Sequence, residues 1–197
     1  MNKSDIITYV LVIFIIFLSF KIYEESDYFN LKCVISKKDG HKYCVRNREN
    51  LESSASLLEV VTQKCQKMVD ILYEKYPKQE RVIRLKNGFN PQRINEILPN
   101  SQYTAYSENK GEKLAFCLTK QKDGTNLIDV NTLTFVALHE ISHIMTESIG
   151  HTDEFWTNFK FMLKEADMAD VYRPVDYKND PITYCGMDIT DNPLYDY

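Results

Sequence analysis

Three of the four histidines, His139, His143 and His151, fall within thirteen consecutive residues, far from His41. Histidines without a shared task scatter, so the clustering itself points to metal chemistry. His139 and His143 frame the string H-E-I-S-H. At i and i+4 on a helix they lie on one face, one turn apart, so both imidazoles can reach one ion. Zinc takes nitrogen ligands at ~2.0–2.1 Å in a tetrahedral array, and a catalytic site leaves the fourth position to water. Glu140 directly follows the first ligand, a place from which a carboxylate takes a proton from metal-bound water. The residues therefore predict one Zn2+ per chain on His139, His143 and His151, with Glu140 as general base in the hydrolysis of a protein or peptide.

Other side chains compete for parts of this site. Glu147 continues the face of His139 and His143, and Glu165 reaches the ion if the following helix packs antiparallel. The oxyanion of a tetrahedral intermediate needs a second donor besides the metal; Tyr172, Arg173, Tyr177 and Tyr184 are the candidates. Residues 112–119 are a candidate cleft edge that pairs with an extended peptide. Cys185, in Y-C-G-M, is open to three roles: a fourth ligand that silences the site, a core thiol, or half of a disulfide. A reading from another class is a structural or adhesive membrane protein, without catalytic activity, in which zinc is a staple with its fourth position filled by the protein, by Cys185 or Glu165.

The elements that must position these groups follow from periodicity. Asn50–Tyr76 is a helix with Leu57, Val61, Cys65, Met68 and Leu72 on its core stripe and Pro77 as its stop. Arg81–Leu85 reads as a strand, and Phe89–Leu98 as a loop with two helical turns around Arg93–Ile97. Tyr103–Ser107 and Glu112–Thr119 form a hairpin. The motif helix spans Asn131–Ser148, started by Asp129 or Asn131, with Phe135, Leu138, Ile141, Met145 and Ile149 on its apolar side and Gly150 as C-cap. Thr152 or Asp153 starts the next helix, which runs to about Ala166. The tail 167–197 is irregular but packed through its tyrosines.

Ile6–Phe20 carries no charge between Asp5 and Lys21. Extended to Tyr23, it is long enough to enter a bilayer, with Lys21 able to snorkel. The residues after it lack the small-residue pattern of a cleavage site, which favours an anchor over a signal peptide. This gives a single-pass protein of a host or virion membrane, in contact with the bilayer through 6–23. Its charge bias points only slightly to a domain outside the cytosol. The organisation is an anchor at 1–23, a stalk or short hairpin at 24–50 and a metallopeptidase-like domain at 51–197. Cys33 and Cys44 flank a K-K-D-G turn and can close a small loop in an oxidising compartment. The net charge is -4, with mixed signs and no basic tract, so no nucleic-acid partner is expected. The fold class is α+β: a short, mostly antiparallel sheet of three or four strands packed on the motif helix.

The segment HEISHIMTESIGHTDEFW, with His139, Glu140, His143, His151, Phe155 and Trp156, resembles the core of the WLM (Wss1-like) and SprT-like zinc metallopeptidases. Seven residues, Ile144 to Gly150, separate His143 from His151 here, more than is usual in that family. With the anchor and the tail YCGMDITDNPLY, the chain is similar in particular to the membrane-anchored WLM-like proteins of large double-stranded DNA viruses. The resemblance implies a zincin-like domain and peptidase activity. The action of cellular relatives on DNA-linked proteins is not expected here, for want of a basic DNA-binding region.

Overall fold

The computed structural model describes residues 3–26 and 30–196. Asp27, Tyr28 and Phe29 of the expected stalk or hairpin, the first two residues of the anchor and Tyr197 lie outside the described residues.

Helix α1 (Lys3–Glu25) carries the apolar run, and its window Asp5–Glu24 spans 20 residues with none of it buried. At 1.5 Å per residue that is about 30 Å, the thickness of a bilayer's hydrocarbon core. Strands β1 (Leu31–Ile35) and β2 (Lys42–Arg46) then form an antiparallel hairpin around the K-K-D-G turn. Of the two readings left open for this segment, stalk or hairpin, residues 31–46 form a hairpin that is part of the sheet. Cys33 and Cys44 are direct cross-strand partners and form a disulfide.

Helix α2 (Leu51–Lys75) buries Leu58, Val61, Cys65, Met68 and Leu72 along the expected stripe. Helix α3 (Glu80–Gly88) replaces the strand expected at 81–85. The buried positions Val82 and Leu85 stand three apart, a helical interval, while Ile83 between them is exposed. A single-turn 3-10 segment at Pro91–Arg93 follows, then strand β3 (Ile94–Glu96), where helical turns were expected. Glu96 is the reason. It is wholly buried and takes the backbone N–H of Arg46 at 2.7 Å, while its carboxylate pairs with the guanidiniums of Arg46 and Arg48. A charge removed from water must be paired and hydrogen-bonded, and these partners lie about fifty positions away.

Strands β4 (Ala105–Glu108) and β5 (Lys113–Phe116) form the expected hairpin. The sheet has five strands in the order β1-β2-β3-β5-β4, and the β2/β3 and β3/β5 pairs are parallel. It is therefore mixed and larger than expected. β5 is paired on both sides, so the edge nearest the motif helix is β4, not residues 112–119.

Helix α4 (Val130–Met145) starts at Asp129, whose carboxylate accepts from the Thr132 N–H at 2.9 Å. It stops three residues earlier than expected. The N–H groups of Glu147 and Ser148 donate instead to the Glu154 carboxylate, at 2.8 and 3.0 Å, which draws the chain off the helical ladder. Thr146 is the cap, Gly150 sits beyond it with φ +85°, and Ile149 is 90% exposed rather than part of the apolar stripe. Helix α5 (Asp153–Met168) begins at Thr152, as expected, and the α4–α5 pair packs through Phe135 and Phe159.

The tail is packed. Tyr172, Tyr177 and Tyr184 are all buried, and β6 (Ile182–Tyr184) and β7 (Met187–Ile189) make a small separate hairpin. Its turn places Cys185 and Gly186 both at positive φ, the conformation a two-residue hairpin loop requires. Cys185 is joined to Cys117, just past β5, which pins the tail to the sheet.

Candidate metal centre

Helix α4 and the loop before α5 bring three imidazoles together. His139 and His143 lie on one face of α4, with ring centroids 5.1 Å apart. His151 folds back so that its ring stands 4.9 Å from each. The Nε2 atoms of His139 and His151 are 2.9 Å apart, and one nitrogen from each of the three rings lies within 4.8 Å of the others. Nitrogens bound tetrahedrally at ~2.0–2.1 Å stand about 3.4 Å from each other, so the donor set fits a zinc ion with small side-chain adjustments.

The surroundings suit a cation rather than protons. Burial and the neighbouring imidazoles push His139 down to about 3 and His143 down to about 4. Both are neutral at pH 7 and offer lone pairs. Phe155 lies against the cluster: its ring stacks on His143 at 4.2 Å and meets His139 and His151 edgewise at 4.8 Å. Trp156 stands 5.7 Å from His151 and is partly exposed. His151 itself is exposed, so the cluster opens to solvent on that side.

The loop that carries His151 is held by two groups that sequence reasoning missed. Glu154 receives the N–H groups of Glu147 and Ser148 and the Ser148 hydroxyl, and these bonds hold its carboxyl down to about 2. Lys110, in the β4–β5 turn, donates to the carbonyls of Thr146 and Ser148 at 2.8 and 2.7 Å. Glu154 was legible only as an acid favourable in a first helical turn. Nothing in the sequence marks Lys110.

The other expected site residues go elsewhere. Glu147 is exposed and pairs with Arg84 at 3.7 Å. Glu165 is buried between Lys75 and the Tyr76 hydroxyl, each at 2.7 Å. Cys185 is in a disulfide, which removes it as a ligand or latch. The Tyr172 hydroxyl accepts from Asn192 at 3.1 Å, and Tyr177 packs edge-on to Phe135. Tyr184 donates to the Thr104 carbonyl, and the Arg173 backbone bonds the Asn131 side chain. In these arrangements the four serve to pin the tail.

Glu140 requires the largest correction. Among the described residues the group of metal-capable donors is made of the three histidines, and Glu140 is not a member. The residue is 7% exposed, and its carboxyl faces the Ser107 backbone on β4. Burial pushes it up to about 8. The expected zinc endopeptidase with Glu140 as base is overturned by the make-up of that cluster. A metal-holding domain without that chemistry agrees better with the cluster.

No family model matches the chain. It is 30% identical over 197 residues to "Uncharacterized protein R325" of Acanthamoeba polyphaga mimivirus, covering 98% of this chain and 96% of that protein. A stretch of 62 residues is 37% identical to "Uncharacterized protein 136R" of Invertebrate iridescent virus 6, covering 31% of this chain and 35% of that protein. Among solved structures, the crystal structure of Wss1 from Saccharomyces cerevisiae aligns with a TM-score of 0.49 and 16% identity over 64% of this chain and 87% of that one. The resemblance to viral proteins holds in these relatives. A structural likeness at that level does not extend it to the zinc peptidases.

Proposed function

We propose a function from the premise that this chain belongs to the family of the mimivirus protein R325: it is a membrane-anchored protein whose domain is stabilised by one zinc ion, in a structural or adhesive role. The observation that carries this reading is the three-histidine cluster at the junction of α4 and α5. His139 and His143 would hold the ion from α4 and His151 from the loop, and because Cys185 and Glu165 are engaged elsewhere the fourth position would go to water or to a donor from a partner. Zinc bound there would supply a strong tie between groups that otherwise meet through aromatic packing and the His139–His151 contact. The chain's own residues do the positioning. Phe155 backs all three rings, and Glu154 and Lys110 hold the loop so that His151 faces the helix.

The anchoring half of the proposal rests on α1, whose apolar side chains find no cover within the domain. The test is metal analysis of the full chain purified in detergent, with thermal unfolding before and after chelation. One zinc per chain and a fall in the unfolding midpoint on chelation are the expected results. Absence of zinc would overturn the reading, and so would zinc-dependent cleavage of a peptide library.

A further inference from the structure

Four of the five cysteines are in disulfides. Cys33–Cys44 and Cys117–Cys185 are oxidised, and the free thiol of Cys65 is fully buried, its ionisation pushed up to about 12 by desolvation. Disulfides persist in oxidising compartments and are rare where glutathione keeps thiols reduced. Both bridges lie on the C-terminal side of α1, and one of them begins within ten residues of its end. The flanking charges do not carry the orientation, since Lys3 opens the helix and Lys32, Lys37, Lys38 and Lys42 follow within twenty residues of its end; the disulfides do.

The sheet gives this orientation a second dimension. The end of α1 is tied to the domain beside the start of β1. The Asn30 side chain donates to the carbonyls of Tyr23, Glu24 and Ser26, and Asn100 donates to the Glu24 carbonyl at 3.1 Å. Leu31 starts β1 there. The register carries that end of the sheet through Arg46, Glu96 and Phe116 to Ala105. The opposite end is formed by Ile35, Lys42 and the β4–β5 turn. Lys110 in that turn grips the loop after α4, and His143 occupies the last turn of α4. The histidine cluster therefore belongs to the end of the domain away from α1.

We infer that the chain crosses the membrane with its N-terminus on the reducing side and its disulfide-bonded domain on the oxidising side, with the three-histidine cluster at the end of that domain remote from the bilayer. This rests on the reading of α1 as a membrane anchor. Whatever engages the cluster reaches it through the outer aqueous space, past His151, Ile149 and Trp156.

The experiment uses the full chain made in the presence of sealed microsomes, then washed with alkaline carbonate, treated with protease and titrated with a maleimide after denaturation without reductant. The expected outcome is a carbonate-resistant chain whose domain survives protease until detergent is added and which titrates one thiol. A carbonate-resistant chain whose domain is digested in intact vesicles, or which titrates five thiols, overturns the orientation. Release by carbonate overturns the anchor itself, a distinct result. For the remote placement, Trp156 is the only tryptophan in the chain and adjoins His151. In liposomes its fluorescence is expected to be unchanged by brominated lipids and reduced by soluble iodide. Quenching by the brominated lipids would place the cluster at the bilayer and overturn that part of the inference.

Discussion

At the scale of single residues, neutrality is what suits the site to a metal, and neutrality has a pH signature. His139 and His143 are depressed from 6.5 to about 3 and about 4, so the unfolded chain binds their protons first. The stability they protect is present above pH 6.5 and is lost as pH falls from there toward 3–4. Glu140 acts in the opposite sense. Raised from 4.5 to about 8, it favours the fold at low pH and loses that contribution as pH rises through 8. Unfolding midpoints from pH 4 to 9 are therefore expected to peak between these limits, and Glu140→Gln is expected to flatten the alkaline side while leaving zinc content unchanged. A loss of zinc in Glu140→Gln would return the carboxyl to the metal centre. His151→Ala removes one of three donors and is expected to abolish stoichiometric zinc while leaving the circular dichroism of the helices in place.

At the scale of elements, the long amphipathic helices were legible because each shows its period over many residues, and the hairpins through the turn residues between their short strands, a local signal that at 24–50 still left a stalk as an equal reading. The histidine cluster was legible for the same reason: i and i+4 on a buried helix is a local pattern. α3 was not, since a five-residue window at 81–85 contains too few turns to separate a period of 3.6 from one of 2. β3 was hidden because its defining residue, Glu96, is charged, and only the distant Arg46 and Arg48 make its burial tolerable. The early end of α4 was likewise set from outside, by Glu154. Glu154→Ala should free the 146–151 loop and lower zinc affinity about tenfold, as losses of outer-shell support commonly do; competition with a fluorescent chelator would measure it. The α3–α4–turn junction tolerates little. A Cβ on Gly111, already at φ +102°, would meet the Gly88 carbonyl oxygen at 2.5 Å and Ile144 Cδ1 at 2.8 Å. Gly111→Ala is expected to cost about 2–3 kcal/mol in denaturant unfolding.

At the scale of the whole molecule, the fold is a sheet and helix pack closed by two covalent links of unequal reach. Cys117–Cys185 encloses a loop of 68 residues, and chain-entropy reasoning gives it about 4 kcal/mol against about 3 kcal/mol for the 11-residue Cys33–Cys44 loop. The paired change Cys117→Ser with Cys185→Ser is expected to lower stability by the larger amount and to loosen the β6–β7 hairpin; hydrogen exchange of the tail would show whether it does. The smaller loop matters in another way. β1 is an edge strand, and it is where a bilayer anchor would join the domain. Tension applied through α1 would enter at Leu31 and would peel β1 from β2 one hydrogen bond at a time. The Cys33–Cys44 bridge intercepts that peeling after two residues and passes the load to β2, which is paired on both sides inside the sheet. The domain is thus wired to bear a pull from the membrane through its interior rather than its edge.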